Sequence, residues 1–178
     1  MRIVLLALWI LFFLDACSTR NTGYKKTISL KPPKPYKQHK EKTIRHTHPK
    51  QFNKTDFLAQ VLYKEYQKWK TTPYCYGGTD KNGVDCSALV QNIFFQAFGL
   101  QLPRTTQEQL RVGYQIPKNK LQTGDLLFFK TAPNTLHSGI YYKDGDFIHA
   151  STKYGVTISN IHNPYWRAKY YRSQRVLP

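Results

Sequence analysis

The sequence predicts an α+β domain, helices first and antiparallel strands after them, preceded by a leader and a basic arm. Three observations carry this. Between Asn53 and Gly99 the apolar residues recur at the three- and four-residue spacing of a helix face. After Gly124 the chain turns to short β-rich runs separated by turn residues. Lys143-Asp144-Gly145-Asp146 carries the Asp-Gly signal of a tight hairpin. Helices and antiparallel strands segregated in this way are the mark of the α+β class.

Residues 1–16 read as an export signal. Arg2 gives a positive start, and Ile3 to Leu14 is an unbroken apolar run of 12 residues. A membrane-spanning helix needs about 20, so the run suits the hydrophobic region of a signal peptide. It ends in Leu14-Asp15-Ala16-Cys17-Ser18. That stretch resembles the bacterial lipobox, in which the Cys is lipidated and becomes the new N-terminus, although Asp15 is an unusual occupant. Cys17 is therefore the expected lipidation site. Ser18 after it implies, by the same resemblance, retention at the outer membrane facing the periplasm. An ordinary secretory signal cleaved nearby is the alternative.

Residues 17–54 read as a lipidated Cys followed by a basic, disordered tether. Residues 18–54 hold 11 basic residues and one acidic residue, a net +10, against +7 for residues 55–178 with 15 basic and eight acidic. Leu30-Lys31-Pro32-Pro33-Lys34-Pro35-Tyr36 has too few aliphatics to bury a core. Such a segment either simply solvates the chain or holds anionic lipid or wall polymer. The export signal removes nucleic acid as a partner.

The folded domain is expected over residues 55–178. Its first helix runs through Phe57, Leu58, Val61, Leu62, Tyr66 and Trp69, with Asn53 or Thr55 as N-cap and Thr71-Thr72-Pro73 as the stop. A second spans about Cys86 to Phe98 and is stopped by Gly99. A third, short helix opens at Thr105, with Glu108 completing a capping box. Strands are expected at 125–129, 138–142, 147–150 and 156–158.

The chemistry gathers at a Gly-rich turn, Tyr76 to Gly83, followed by a Cys that opens an apolar helix. A helix N-terminus carries about half a positive charge. It lowers the pKa of a thiol placed there and offers unpaired N–H groups to an oxyanion. Cys86 is thus a candidate nucleophile. His137 and His149 sit on strands joined by the Asp144-Gly145 turn, which makes their rings neighbours on one face. His46, His48 and His162 fall in the tether or a late loop. The residues alone leave alternatives open: a Cys75–Cys86 disulfide in an oxidising compartment, two hydrogen-bonded core histidines, or a zinc site from Cys75, Cys86, His137 and His149, for which the ten-residue gap between the cysteines fits no common spacing.

Several blocks, in order, carry a family resemblance. They are Thr72-Pro73-Tyr74 with Tyr76-Gly77-Gly78, Val84-Asp85-Cys86-Ser87, Leu102-Pro103-Arg104-Thr105-Thr106, Thr123 to Phe129, His137-Ser138-Gly139-Ile140-Tyr141 and Phe147-Ile148-His149-Ala150-Ser151. Pro164-Tyr165-Trp166 and Arg175-Val176-Leu177 add to them. From about Asp56 to its end the chain resembles the NlpC family of bacterial cell-wall cysteine peptidases, in its lipoprotein branch. The resemblance implies a circularly rearranged papain-like fold, with Cys86 as nucleophile, His137 as general base and His149 orienting it. It implies that Tyr74 assists the oxyanion or the substrate. The substrate expected from it is the peptide stems of peptidoglycan, cut by a monomeric enzyme that needs no metal and no cofactor. A non-catalytic wall-binding module and an amidase or acyltransferase using the same three residues are the alternatives. The chain departs from the family pattern at Ala88, where Gly is usual, at Cys75, and at Ser138 in place of Val.

Overall fold

The computed structural model describes residues 53–178. The leader, Cys17, His46 and His48 lie outside the described residues. The first helix, α1, spans Lys54–Trp69 and is capped by the Asn53 side chain, which accepts from the Thr55 N–H at 3.1 Å. Of the two caps expected from sequence, Asn53 is the one used. The chain leaves it through Thr71, whose φ of 73° is left-handed, and a turn into Pro73.

A small hairpin of β1 (Thr79–Asp80) and β2 (Gly83–Val84) follows. It is closely packed: a Cβ on Gly83 would sit 2.5 Å from Cys75 Cβ, and one on Gly78 would sit 2.3 Å from the Gly83 carbonyl oxygen. Only glycine fits at either place. Helix α2 then spans Cys86–Phe98, with Asp85 as N-cap and Gly99 in the left-handed region at its C-terminus. Helix α3 (Thr106–Gln109) carries the expected capping box between Thr105 and Glu108.

Six strands make one antiparallel sheet. They are β3 (Tyr114–Gln115), β4 (Leu126–Ala132), β5 (Thr135–Lys143), β6 (Asp146–Ser151), β7 (Gly155–Asn160) and β8 (Tyr170–Arg175), in the order β3-β8-β4-β5-β6-β7. A 3₁₀ turn (Lys118–Lys120) precedes β4, and a short helix α4 (Pro164–Lys169) precedes β8. Leu126, Leu127, Phe128 and Phe129 on the central strand are all fully buried. A strand normally alternates inside and outside; this one does not, because both faces of the sheet are covered. Leu126 and Phe128 face Leu89, Ile93 and Phe94 of α2 and Leu62 and Trp69 of α1. Leu127 and Phe129 pack with Phe147 and Ile161 under Trp166 and Tyr170. The arrangement is the α+β fold that the pattern predicted.

Candidate active site

Cys86 is the first residue of α2, and the N-cap before it organises the surroundings. Asp85 Oδ1 accepts from the Ala88 N–H at 2.7 Å and from the Ser87 hydroxyl at 3.0 Å. Arg104 binds both carboxylate oxygens of Asp85, at 3.1 and 2.7 Å, and also donates to the Gly77 carbonyl at 3.1 Å. One guanidinium thus ties the Gly-rich turn to the mouth of the helix. Burial pushes the Asp85 carboxyl up, but the Arg104 bond, the Ala88 N–H and the Ser87 hydroxyl hold it below the ordinary carboxylate range. The Leu89 N–H is taken by the Asp85 carbonyl. That leaves the amides of Cys86 and Ser87 at the helix mouth, and the Cys86 amide, on the nucleophile itself, is the one closest in the chain to a forming oxyanion.

The Cys86 side chain is buried at 7% exposure and is a free thiol, so the disulfide with Cys75 is not formed. Thr106 Oγ1 lies 3.6 Å from Sγ. Burial pushes the thiol up; a hydrogen bond from the His137 imidazole, the charge of that imidazole, the Ser138 N–H and the Thr106 hydroxyl bring it down to about 7. His137 Nε2 lies 2.9 Å from His149 Nδ1, which leaves Nδ1 of His137 as the nitrogen that meets the thiol. His149 is 1% exposed. Burial, then the neighbouring charge of His137, holds its pKa well below the ordinary 6.5, so it is a neutral ring. Trp166 of α4 stacks on His137, centroids 5.5 Å apart and planes 26° apart, and meets His149 edge-on at 4.9 Å. It covers the bond between the two rings from solvent.

Tyr74 lines the same cleft as Cys86, His137 and His149, a space of about 930 Å³ whose rim includes Tyr76, Tyr154 and Tyr165. Burial, then the charges of Cys86 and Asp85, push the Tyr74 hydroxyl up to about 12. It therefore remains an O–H donor beside the thiol. The structure thus brings four of the residues singled out in the sequence into one cleft. His162 is exposed in the loop before α4. Among the described residues no three His, Cys, Asp or Glu side chains converge as a metal site. Ala88 is fully buried in the core against the sheet. Sequence reasoning passed over Thr106, Trp166 and Ser159. The first two lie in blocks already noted for their resemblance; nothing local marks Ser159.

The sequence profile of the NlpC/P60 family matches residues 71–175. A probable endopeptidase of Haemophilus influenzae is 47% identical over 118 residues, which cover 65% of this chain and 73% of that protein. The murein DD-endopeptidase MepS/murein LD-carboxypeptidase of Escherichia coli is 42% identical over 122 residues, 68% of this chain and 64% of that one. Among solved structures, an NlpC/P60 family protein from Bacillus cereus superimposes with a TM-score of 0.61 at 31% identity, covering 67% of this chain and 40% of that one.

Proposed function

From the premise that the chain belongs to the NlpC/P60 family and is an endopeptidase, we propose that it hydrolyses amide bonds in the stem peptides or crosslinks of murein through Cys86, His137 and His149. The observation that carries this is the cleft that holds the buried thiol on the first residue of α2 together with His137 and, 2.9 Å behind its Nε2, the neutral ring of His149. In the first step the thiol proton passes to Nδ1 of His137 and the thiolate attacks the substrate carbonyl carbon. The Cys86 amide and the Tyr74 hydroxyl donate to the oxyanion. Collapse of the adduct breaks the C–N bond, and the leaving amine takes the proton from His137. A thioester remains. Water, deprotonated by His137, attacks it, and the carboxylate and the thiol are released. His149 holds the His137 ring and accepts from its Nε2–H throughout.

The test is digestion of purified murein, with soluble products followed by mass spectrometry. The native protein is expected to release shortened or uncrosslinked muropeptides, and Cys86→Ala and His137→Ala to release none. Unchanged turnover in Cys86→Ala would sink the mechanism. The product masses also separate cleavage at a γ-D-glutamyl–diamino acid bond from cleavage at a D,D-crosslink.

The proposal extends to location. Residues 1–16 act as a lipoprotein signal, Cys17 is acylated, and the basic segment up to residue 54 tethers the domain to the outer membrane on its periplasmic side. Each buried methylene of an acyl chain contributes about 0.8 kcal/mol, so a multiply acylated Cys17 anchors the chain stably. Radioactive fatty acid is expected to label the native chain and not Cys17→Ala. Label that survives the substitution excludes the anchor. Contact of the tether with anionic lipid or wall polymer is expected to weaken as salt rises.

A further inference from the structure

The sheet register aligns a third polar residue with the two histidines. On β5 and β6, Ile140 pairs with Ile148, so His149 stands across from Gly139, two residues from His137 on the same face. On β6 and β7, His149 pairs with Thr157, which places Ser159 two residues further along, again on that face. His137, His149 and Ser159 thus form one diagonal line across three adjacent strands, the neighbour pattern through which side chains on a sheet meet. The contacts close it: His137 Nε2 to His149 Nδ1 is 2.9 Å, and His149 Nε2 to Ser159 Oγ is 2.9 Å.

A neutral imidazole has one N–H and one lone pair, so the two ends of His149 cannot be set independently. If its proton is on Nε2, it donates to Ser159 and its Nδ1 accepts from His137 Nε2–H. His137 then has a free lone pair on Nδ1, facing the thiol. If the proton is on Nδ1, every bond in the line reverses. His137 then carries its proton on Nδ1, pointing at the thiol, and cannot receive another there.

We propose that Ser159 is a positioning residue that selects the working tautomer, by giving the buried Nε2–H of His149 an acceptor and so turning the lone pair of His137 toward Cys86. This rests on the reading of His137 as the base. Ser159 can play acceptor because it lines the open cleft, where its own hydroxyl proton has solvent to bind. His149, at 1% exposure, has no such outlet. An unmatched buried donor is disfavoured strongly enough to reverse a tautomer preference.

The experiment compares Ser159→Thr with Ser159→Val in the full chain. The two side chains share a shape and differ in the hydroxyl. Nitrogen-15 NMR of the imidazoles reads the tautomer of His149, and the pH dependence of iodoacetamide alkylation reads the thiol of Cys86. The native protein is expected to carry the His149 proton on Nε2, and Ser159→Thr to keep it there with the alkylation midpoint still near 7. Ser159→Val is expected to move the proton to Nδ1, raise the midpoint, and lower kcat/KM on muropeptides about tenfold to a hundredfold through kcat, with KM unchanged. A native protein with the proton on Nδ1 overturns the proposal, as do Thr and Val variants with the same tautomer and the same midpoint. Both spectroscopic and alkylation readouts need no substrate, so they decide the role of Ser159 even if murein is not what the enzyme cuts.

Discussion

His137→Ala separates the forces that set the thiol. Burial alone pushes Cys86 above its ordinary 9.0, and His137 supplies the first two of the influences that bring it down to about 7. Without the ring, burial is opposed mainly by the Ser138 N–H and the Thr106 hydroxyl, with the Arg104 charge and the helix N-terminus adding to them, so the midpoint is expected to rise to about 9. Two pH units are worth about 3 kcal/mol in favour of the thiolate. At pH 7 a thiol with a midpoint near 7 is about half ionised, while one at 9 is about 1% ionised, roughly a fiftyfold difference. The more basic thiolate is intrinsically faster, by about eightfold for two units at a Brønsted slope of ~0.45. The net expectation is about sixfold slower alkylation at pH 7, and at pH 10 the order reverses, with the variant several-fold faster than the native protein. The assay is iodoacetamide modification of Cys86 followed by mass spectrometry from pH 5 to 10. A variant whose midpoint stays near 7, or whose rate curve never crosses the native one, refutes the assignment of His137 as the group that activates the thiol.

Three further outcomes are expected. Arg104→Met leaves the Asp85 carboxylate in its partly buried place without its bidentate partner, and is expected to cost about 2–3 kcal/mol in urea denaturation at pH 7. Because the folded-state pKa of Asp85 is depressed, that contribution is full above its ordinary 3.8 and fades as pH falls through the lower folded value, so the gap between variant and native protein should narrow at pH 3. Ser138→Ala removes a buried hydroxyl that has no hydrogen-bond partner and is expected to stabilise the fold by about 1 kcal/mol, with the alkylation midpoint unmoved because the backbone N–H remains. Gly139→Ala places a Cβ 2.8 Å from Phe147 Cδ2, 2.9 Å from the Ile148 carbonyl oxygen and 3.3 Å from His149 Cβ. It is expected to cost about 1–3 kcal/mol and to lower kcat by displacing the His149 ring, read by thermal melting and muropeptide turnover.

What was legible in the sequence was whatever local chemistry decides. Gly99 ends α2 as a left-handed C-cap where the sequence placed the stop, and the helix runs over Cys86–Phe98 as expected; its N-cap, Asp85, is seen in the structure. The Asp144-Gly145 turn fixed β5 beside β6, and with it the nearness of His137 and His149. The missed elements are the two-residue strands of the local β1–β2 hairpin, and beyond it those that depend on distant pairing or carry only a weak local signal. Strand β3 is two residues long and exists only against Arg175 and Gln174 of β8. Strand β8 carries Tyr-Tyr-Arg-Ser-Gln-Arg, a polar run whose partners β4 and β3 are distant in sequence. Helix α4 is six residues long, with Asn163-Pro164 as its only local signal. Ser159 was invisible for the same reason, since its place beside His149 follows from the β6–β7 register and not from its neighbours in the chain.

Cys86 rides on a helix laid over the sheet, while His137 and His149 belong to the sheet itself. Nucleophile and base are 51 positions apart in the chain, and no single element holds both. Reactivity is therefore a property of docking. A state that keeps its helices and strands but loosens the helical layer from the sheet returns the thiol toward its ordinary 9.0, and the nascent or unfolded chain carries a cysteine that is almost wholly protonated at pH 7. Any state in which the layers part while the helices persist should therefore show the alkylation midpoint of Cys86 moved toward 9.0 with helical circular dichroism retained, which makes the nucleophile a reporter of whether the two layers are joined.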